Sequence, residues 1–141
     1  MIRILLIGNG AREHVIAETI KRSRHDTALF SCMKSNNPGI ASLSDDVLLG
    51  SYGDQGEIVR FAKKHRVDFS IIGPEDPLNN GIVDFLKKEG IPSVGPTQSL
   101  ARLETSKTFT RNLLEKYDIP GNPRFKTFSS IEGVEAFIGG L

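Results

Sequence analysis

The chain has 141 residues, of which 38% are apolar and 25% are charged, proportions that are typical of a globular domain. Lysine and arginine number 18 against 17 acidic residues, and no long block of one sign occurs, so we expect no nucleic-acid partner. No apolar run approaches the ~20 residues that a membrane span requires, and no targeting pattern is present. The single cysteine, Cys32, excludes an internal disulfide. We therefore expect a cytoplasmic protein, or part of one, that acts without a membrane.

Apolar runs and helical periodicity alternate along the first hundred residues. Strands are predicted at 2–7, 28–32, 46–50, 67–73 and 91–95, and helices at about 13–21, 54–65 and 79–90. Strands that alternate with helices in this way are typical of an α/β fold with a doubly wound, mostly parallel sheet and helices on both faces.

The pattern changes after Pro96. Residues 97–117 are predicted to form two helical pieces that meet near Thr105, and residues 118–128 a Pro- and Gly-broken connection followed by a short strand. A last helix is predicted over 130–140, with Ser130 as a candidate N-cap. We interpret 1–100 as one α/β domain, and 101–141 as linker helices and the beginning of a truncated second domain.

Three loops combine glycine or proline with polar side chains, and each follows a predicted strand: Gly8–His14, Ser35–Gly39 and Gly73–Leu78. In a doubly wound sheet, ligands bind beyond the carboxyl ends of the strands, where the strand order reverses. Because all three loops fall at that edge, we expect them to form a small-molecule site.

The first loop begins like a dinucleotide-binding turn but does not continue as one. Gly8 and Gly10 allow a tight turn and a close approach to an anion, or they serve the turn alone. Glu13 stands where the third glycine is expected, and no acidic residue follows the second strand, so NAD is disfavoured. Arg12 can pair with a phosphate or carboxylate. Glu13 can bind an amine or hydroxyl groups, or can favour the helix N-terminus, and His14 stays ambiguous.

The third loop presents two carboxylates between two prolines. We assign Asp76 mainly to a helix N-cap and Glu75 mainly to ligand binding. The carboxylates show no metal-ligand spacing, and no arrangement suggests a nucleophile, so the sequence predicts neither a metal site nor a catalytic residue within this chain. His25 and His65 occupy ordinary surface contexts.

Five segments resemble, in the same order, the phosphoribosylamine–glycine ligase (glycinamide ribonucleotide synthetase) family of ATP-grasp enzymes. They are IGNGAREH (7–14), NPGI (37–40), IIGPEDPL (71–78), GIPSVGPT (90–97) and LETSKTFTRNLLEKYDIP (103–120). The resemblance covers residues 1 to about 125. Ala11 replaces a glycine that the family often has, and asparagine precedes the Pro-Gly pair rather than following it. Neither departure removes a charged group.

The resemblance implies a Rossmann-like pre-ATP-grasp domain followed by the helical start of an ATP-grasp region. It implies an enzyme of purine synthesis that joins glycine to 5-phosphoribosylamine with ATP and Mg²⁺ (or Mn²⁺), as a monomer, to give glycinamide ribonucleotide. It assigns ATP contact to Lys107 and substrate binding to a set of loop residues: Gly8, Asn9, Gly10, Arg12, Glu13, Pro38, Gly39 and Glu75. Most of the ATP and metal site lies beyond residue 141 in this family, so we expect the chain alone to be inactive.

Other readings stay open from the sequence. The chain could be the preliminary domain of a carboxylase or of another purine-pathway ligase, although the first and third loops argue against it. It could be a Rossmann-type nucleotide-binding or regulatory module without catalysis. It could also be a small interaction protein whose residues 101–141 are covered by a partner.

Overall fold

The computed structural model describes residues 1–141. Their contacts divide the chain into two compact units, Met1–Ala101 and Arg102–Leu141. None of the helices combines the length and the apolar character that crossing a membrane takes.

The first unit is an all-parallel five-stranded sheet with helices on both faces, as the sequence predicts. Its strand order is β3-β2-β1-β4-β5. In chain order the elements are β1 (Ile2–Ile7), α1 (Ala11–Lys21), β2 (Thr27–Met33), α2 (Pro38–Leu43), β3 (Asp46–Leu49), α3 (Gln55–Lys64), β4 (Phe69–Ile72), α4 (Glu75–Asn79), α5 (Ile82–Lys88), β5 (Ser93–Val94) and α6 (Gln98–Thr105), which ends in the second unit.

The central strand β1 is buried on both of its faces. Leu5 and Ile7 belong to one core cluster, which α3 and α5 cover, whereas Leu6 belongs to the other, which α1 and α2 cover. All three side chains have no exposed surface. A strand between two helical layers needs apolar residues at consecutive positions, which explains the unbroken run at the start of the sequence.

The strand order reverses at β1. This strand pairs with β2 on one side and β4 on the other, with Ile7 opposite both Cys32 and Ile72. The next residues continue the ladder, since the Gly8 N–H donates to the Cys32 carbonyl and the Gly73 N–H donates to the Ile7 carbonyl, both at 3.0 Å. The segments that follow β1 and β4 therefore leave the sheet side by side at its carboxyl edge.

The second unit holds the end of α6 together with α7 (Lys107–Lys116) and α8 (Val134–Gly139). The two helical pieces predicted over 97–117 are present. The strand predicted within 118–128 is wrong, because an isolated extended segment has no hydrogen-bonding neighbour and all strands of the sheet lie in the first unit. Ser130 does not cap α8: its Oγ accepts from the Glu132 N–H, and the helix starts after Gly133, whose φ is +78°.

Two short helices replace predicted loop segments. α2 begins at Pro38 because the Asn37 side chain accepts from the N–H groups of Gly39 and Ile40, a signal of a helix start. α4 begins at Glu75, so the prediction that Asp76 is an N-cap is wrong. Pro74 holds the extended backbone of the N-cap position, and this places Asp76 inside the first turn.

His65 is not a surface residue. Its side chain is 15% exposed, stacks on Phe30 with ring centroids 4.2 Å apart, and meets the edge of Phe61. Its Nε2 lies 2.8 Å from Asp46 Oδ2. His65 follows α3 directly and lies over β2 and β3, which local sequence context could not show.

Asp45 ties α1 and β2 to the start of β3, because its Oδ2 accepts from Lys21 Nζ at 2.9 Å and from the Leu29 N–H at 2.8 Å. The Lys21 hydrogen bond, aided by that backbone N–H, holds the pKa of Asp45 below its ordinary value. A carboxyl group whose pKa is lower in the folded chain stabilises the fold above its unfolded pKa. That contribution is lost as the pH falls through the folded pKa.

We expect Asp45→Asn to lower the free energy of unfolding by about 0.5–1 kcal/mol near neutral pH and by less at acid pH. The effect is limited because the side chain is 48% exposed, so solvent screens its charge. Urea unfolding at both pH values checks this, with Glu104→Gln at an exposed position of α6 as the control. An equal loss at both pH values would contradict the electrostatic origin.

Candidate functional site

The loops that follow β1 and β4 are packed against each other without room for a side chain at their glycines. Gly8 has a φ of +138°, which favours glycine, and a Cβ on it would lie 2.8 Å from both Pro74 Cδ and Glu13 Cδ. A Cβ on Gly10 would lie 2.8 Å from Glu13 Oε2, and one on Gly73 would overlap the same carboxyl group. The side chain of Glu13 thus fills the space between these three glycines.

Glu13 is the most buried charged residue of the site, with 3% of its surface exposed. Its Oε2 accepts from the Gly10 N–H at 2.7 Å, which is the glutamate half of a capping box at the start of α1, and its Oε1 accepts from Arg12 Nε at 3.2 Å. The carboxylate therefore stands at the helix N-terminus, where an anionic ligand would otherwise bind. The structure gives Glu13 a structural role, and a contact with substrate stays a prediction.

Arg12 and Glu75 join the first and third loops at the surface. Arg12 Nη2 lies 3.7 Å from Glu75 Oε1, and the two side chains are 59% and 49% exposed. Arg12 Nε also contacts the buried carboxylate of Glu13, which fixes one side of the guanidinium. The pair presents a cation and an anion together at the carboxyl edge of the sheet, where both donors and acceptors are available to a polar ligand.

The second loop is attached to the first through asparagines. Asn37 Nδ2 donates to the backbone carbonyl of Asn9 at 3.1 Å, while Asn37 Oδ1 caps α2. The neighbouring Gly39 packs against the imidazole of His14, which a Cβ at position 39 would overlap. Pro38, the first residue of α2, is exposed beside this contact. The structure thus brings the predicted residues of all three loops to one edge of the sheet, and their binding roles stay predictions.

Tyr52 belongs to this site, although nothing local in the sequence marks it. It lies between β3 and α3, is 5% exposed, and its hydroxyl donates to Asn9 Oδ1 at 2.5 Å. Burial raises the pKa of Tyr52 above its ordinary value, so the phenol stays protonated and remains a donor. The two residues are 43 positions apart, so their contact depends on the order of the strands.

Cys32 and Lys107 are two further side chains whose chemistry bears on function. Cys32 at the end of β2 has no exposed surface, and burial raises the pKa of its thiol to about 12, so it is unsuited to act as a nucleophile. The chain holds no group of three or more His, Cys, Asp or Glu side chains arranged to bind a metal ion. Lys107 is exposed at the first position of α7 in the second unit, and its contact with ATP stays a prediction.

The fold and the site define this unit as a doubly wound parallel α/β domain with polar loops at its switch point, the place where such domains bind ligands. N5-carboxyaminoimidazole ribonucleotide synthetase from Thermotoga maritima superimposes with a TM-score of 0.73 at 18% identity, over 97% of this chain and 36% of that chain. Phosphoribosylglycinamide synthetase from Anaerococcus prevotii superimposes with a TM-score of 0.67 at 16% identity, over 98% and 34%. At these identities the likeness shows the fold alone.

The chain belongs to the family described as phosphoribosylglycinamide synthetase, N domain, which matches residues 2–104. A phosphoribosylamine–glycine ligase from Methanopyrus kandleri is 44% identical over 142 residues, which are 100% of this chain and 32% of the relative. The ligase from Pyrococcus abyssi is 45% identical over 137 residues, which are 97% and 31%. The chain spans about a third of the length of these curated relatives. The family resemblance expected from the five sequence segments is confirmed.

Proposed function

We propose that this chain is the amino-terminal part of a phosphoribosylamine–glycine ligase of purine synthesis. The proposal is supported by the family match and by about 44% identity to curated ligases along the whole chain. In the proposed reaction, ATP phosphorylates the carboxylate of glycine to an acyl phosphate. The amine of 5-phosphoribosylamine then attacks the acyl carbon and displaces phosphate, which gives glycinamide ribonucleotide, ADP and phosphate.

The residues of this chain act on the phosphoribosylamine side of that reaction. Glu75 accepts hydrogen bonds from the amine or hydroxyl groups of the sugar, and Arg12 holds that carboxylate in place through their ion pair. Because the Glu13 carboxylate stands at the N-terminus of α1, a phosphate bound there would face a buried negative charge. We therefore place the sugar, rather than its phosphate, against the loops that follow β1 and β4.

The chemistry of this reaction consists of positioning the two substrates and neutralising charge around the acyl phosphate. The residues described here do not form a cluster that would hold Mg²⁺, so no step is assigned to a metal bound by this chain. Of its residues, Lys107 is the one proposed to contact the ATP phosphates. We expect these 141 residues by themselves to bind the sugar substrate without catalysing the ligation.

The observation that carries the proposal is the meeting of three polar loops at the β1/β4 switch point, with Arg12 and Glu75 paired at the surface. It is tested by titrating the chain with ribose 5-phosphate and, separately, with NAD, while backbone amide signals are followed by NMR. We expect ribose 5-phosphate to shift the amides of Gly8–His14 and Gly73–Leu78 together and NAD to leave them unchanged. Glu75→Gln should weaken ribose 5-phosphate binding about tenfold, because hydrogen bonds to a charged acceptor are lost.

Glu132→Gln, at an exposed position of the second unit, is the matched control and should leave the affinity unchanged. If NAD shifts the first loop and ribose 5-phosphate shifts nothing, the chain is a dinucleotide-binding module and the proposed function is wrong. If neither ligand shifts an amide of the two loops, the proposed substrate contribution of this chain is also wrong.

A further inference from the structure

Asn9 is fixed by hydrogen bonds at two of its groups. Its side-chain Oδ1 accepts from the Tyr52 hydroxyl at 2.5 Å, and its backbone carbonyl accepts from Asn37 Nδ2 at 3.1 Å. The first contact comes from the loop after β3 and the second from the loop after β2. Asn9 is thereby held in one orientation before any ligand arrives, although it lies in a loop and is itself only partly buried.

The contact with Tyr52 determines which way the side-chain amide of Asn9 is turned. An asparagine amide offers an acceptor oxygen and a donor nitrogen, and a protonated phenol donates a single hydrogen. Since the phenol occupies Oδ1, the amide is turned so that Nδ2 is the group left for a ligand. Nδ2 has no partner within the chain, and it can only donate. A ligand group bound by Nδ2 must therefore be a hydrogen-bond acceptor.

Tyr52 is itself held from the far side of the site. Its backbone carbonyl accepts from Asn80 Nδ2 at 3.5 Å, and Gln55 Nε2 donates to the Asn80 carbonyl at 2.7 Å. Asn80 directly follows α4, the helix that carries Glu75. Tyr52 thus connects the loop after β1, through its phenol, with the element after β4, through its backbone carbonyl, so the position of Asn9 depends on both sides of the switch point.

The charges around the Asn9 amide determine which kind of acceptor can bind to its Nδ2. Burial is the main cause that raises the pKa of Tyr52, and the nearby Glu13 and Asp76 carboxylates add smaller contributions; Glu75 lies on the same short helix as Asp76. An anionic oxygen beside Asn9 would be repelled by these carboxylates. A sugar hydroxyl is neutral and can accept from Nδ2 while its own hydrogen is donated to a carboxylate.

We propose that Tyr52 is a positioning residue that fixes Asn9 as a donor to a hydroxyl oxygen of the sugar substrate. The inference rests on the proposed function, because it needs the sugar to lie against this edge of the sheet. It assigns Tyr52 a part in substrate recognition that acts through Asn9 and not by contact with the ligand.

The test compares Asn9→Asp and Tyr52→Phe with the unchanged chain in titrations with ribose 5-phosphate and, separately, inorganic phosphate. Asn9→Asp keeps an acceptor for Tyr52 but removes the donor, so we expect about tenfold weaker ribose 5-phosphate binding. Tyr52→Phe keeps the ring but frees the amide to rotate, so we expect about threefold weaker binding. In the unchanged chain the side-chain amide signal of Asn9 should shift with ribose 5-phosphate, and in Tyr52→Phe this shift should shrink.

Matched controls are Asn112→Asp, which adds the same charge at an exposed position of α7, and Tyr117→Phe, both in the second unit. Both should bind like the unchanged chain. If the chain binds ribose 5-phosphate but Tyr52→Phe changes neither the affinity nor the Asn9 signal, the positioning role is overturned and the proposed function stands. If inorganic phosphate shifts the Asn9 amide as ribose 5-phosphate does, the hydroxyl assignment is overturned. Absence of ribose 5-phosphate binding in the unchanged chain overturns the proposed function itself.

Discussion

Replacement of Gly73 with alanine is expected to lower the free energy of unfolding by about 3 kcal/mol. The new Cβ would overlap the carboxyl group of Glu13, which is buried and cannot turn toward solvent without leaving the Gly10 N–H unpaired. The cost therefore joins overpacking with the loss of a charge-assisted hydrogen bond. Urea unfolding followed by circular dichroism measures it, since the chain has no tryptophan.

A double-mutant cycle identifies Glu13 as the group that the alanine displaces. In a Glu13→Ala background the space beside position 73 is open, so Gly73→Ala should then cost less than about 1 kcal/mol. The coupling between the two substitutions should reach about 2 kcal/mol. Gly56→Ala is the control: its Cβ would come no nearer than 3.4 Å to another side chain, and alanine favours the helix α3 that contains it. Equal costs of Gly73→Ala in both backgrounds would show that Glu13 is not the obstacle.

The sheet and the location of the site are the parts that the sequence predicts well. Apolar β-branched runs alternate with helical periodicity, and parallel topology then forces every loop after a strand to one edge. For that reason the sequence predicts that Gly8–His14 and Gly73–Leu78 lie near each other, and β1 and β4 are adjacent in the sheet. Short helices are harder to predict from sequence, because a proline such as Pro38 or Pro74 is compatible with either a loop or the start of a helix.

The roles within the site depend on contacts that no local pattern encodes. Glu13 has the sequence context of a ligand or of a capping residue, and the choice is made by Gly73, 60 positions away, which leaves room for the buried carboxylate. Tyr52 lies in a polar turn between β3 and α3 and gives no sign of its bond to Asn9. The sequence thus indicates which loops meet, while the packing between loops decides which of their side chains face outward.

Glu13→Gln is the second substitution with a large expected effect, and it separates the structural role of this residue from a substrate-binding one. Glutamine has the same shape, but its NH₂ group must face either the Gly10 N–H or Arg12 Nε, both of which are donors.

The substitution also removes a negative charge from the N-terminus of α1. We therefore expect a loss of about 2–3 kcal/mol in the free energy of unfolding, measured by urea denaturation. Glu18→Gln on the same helix is the control, because that side chain is 50% exposed and its pair with His14 is 3.7 Å long, so the change should stay below about 0.5 kcal/mol. A Glu13→Gln chain that keeps its full stability but no longer binds ribose 5-phosphate would contradict the structural role. Glu13 would then act on the substrate directly, and a group other than the Glu13 carboxylate would have to fix Arg12 in its ion pair with Glu75.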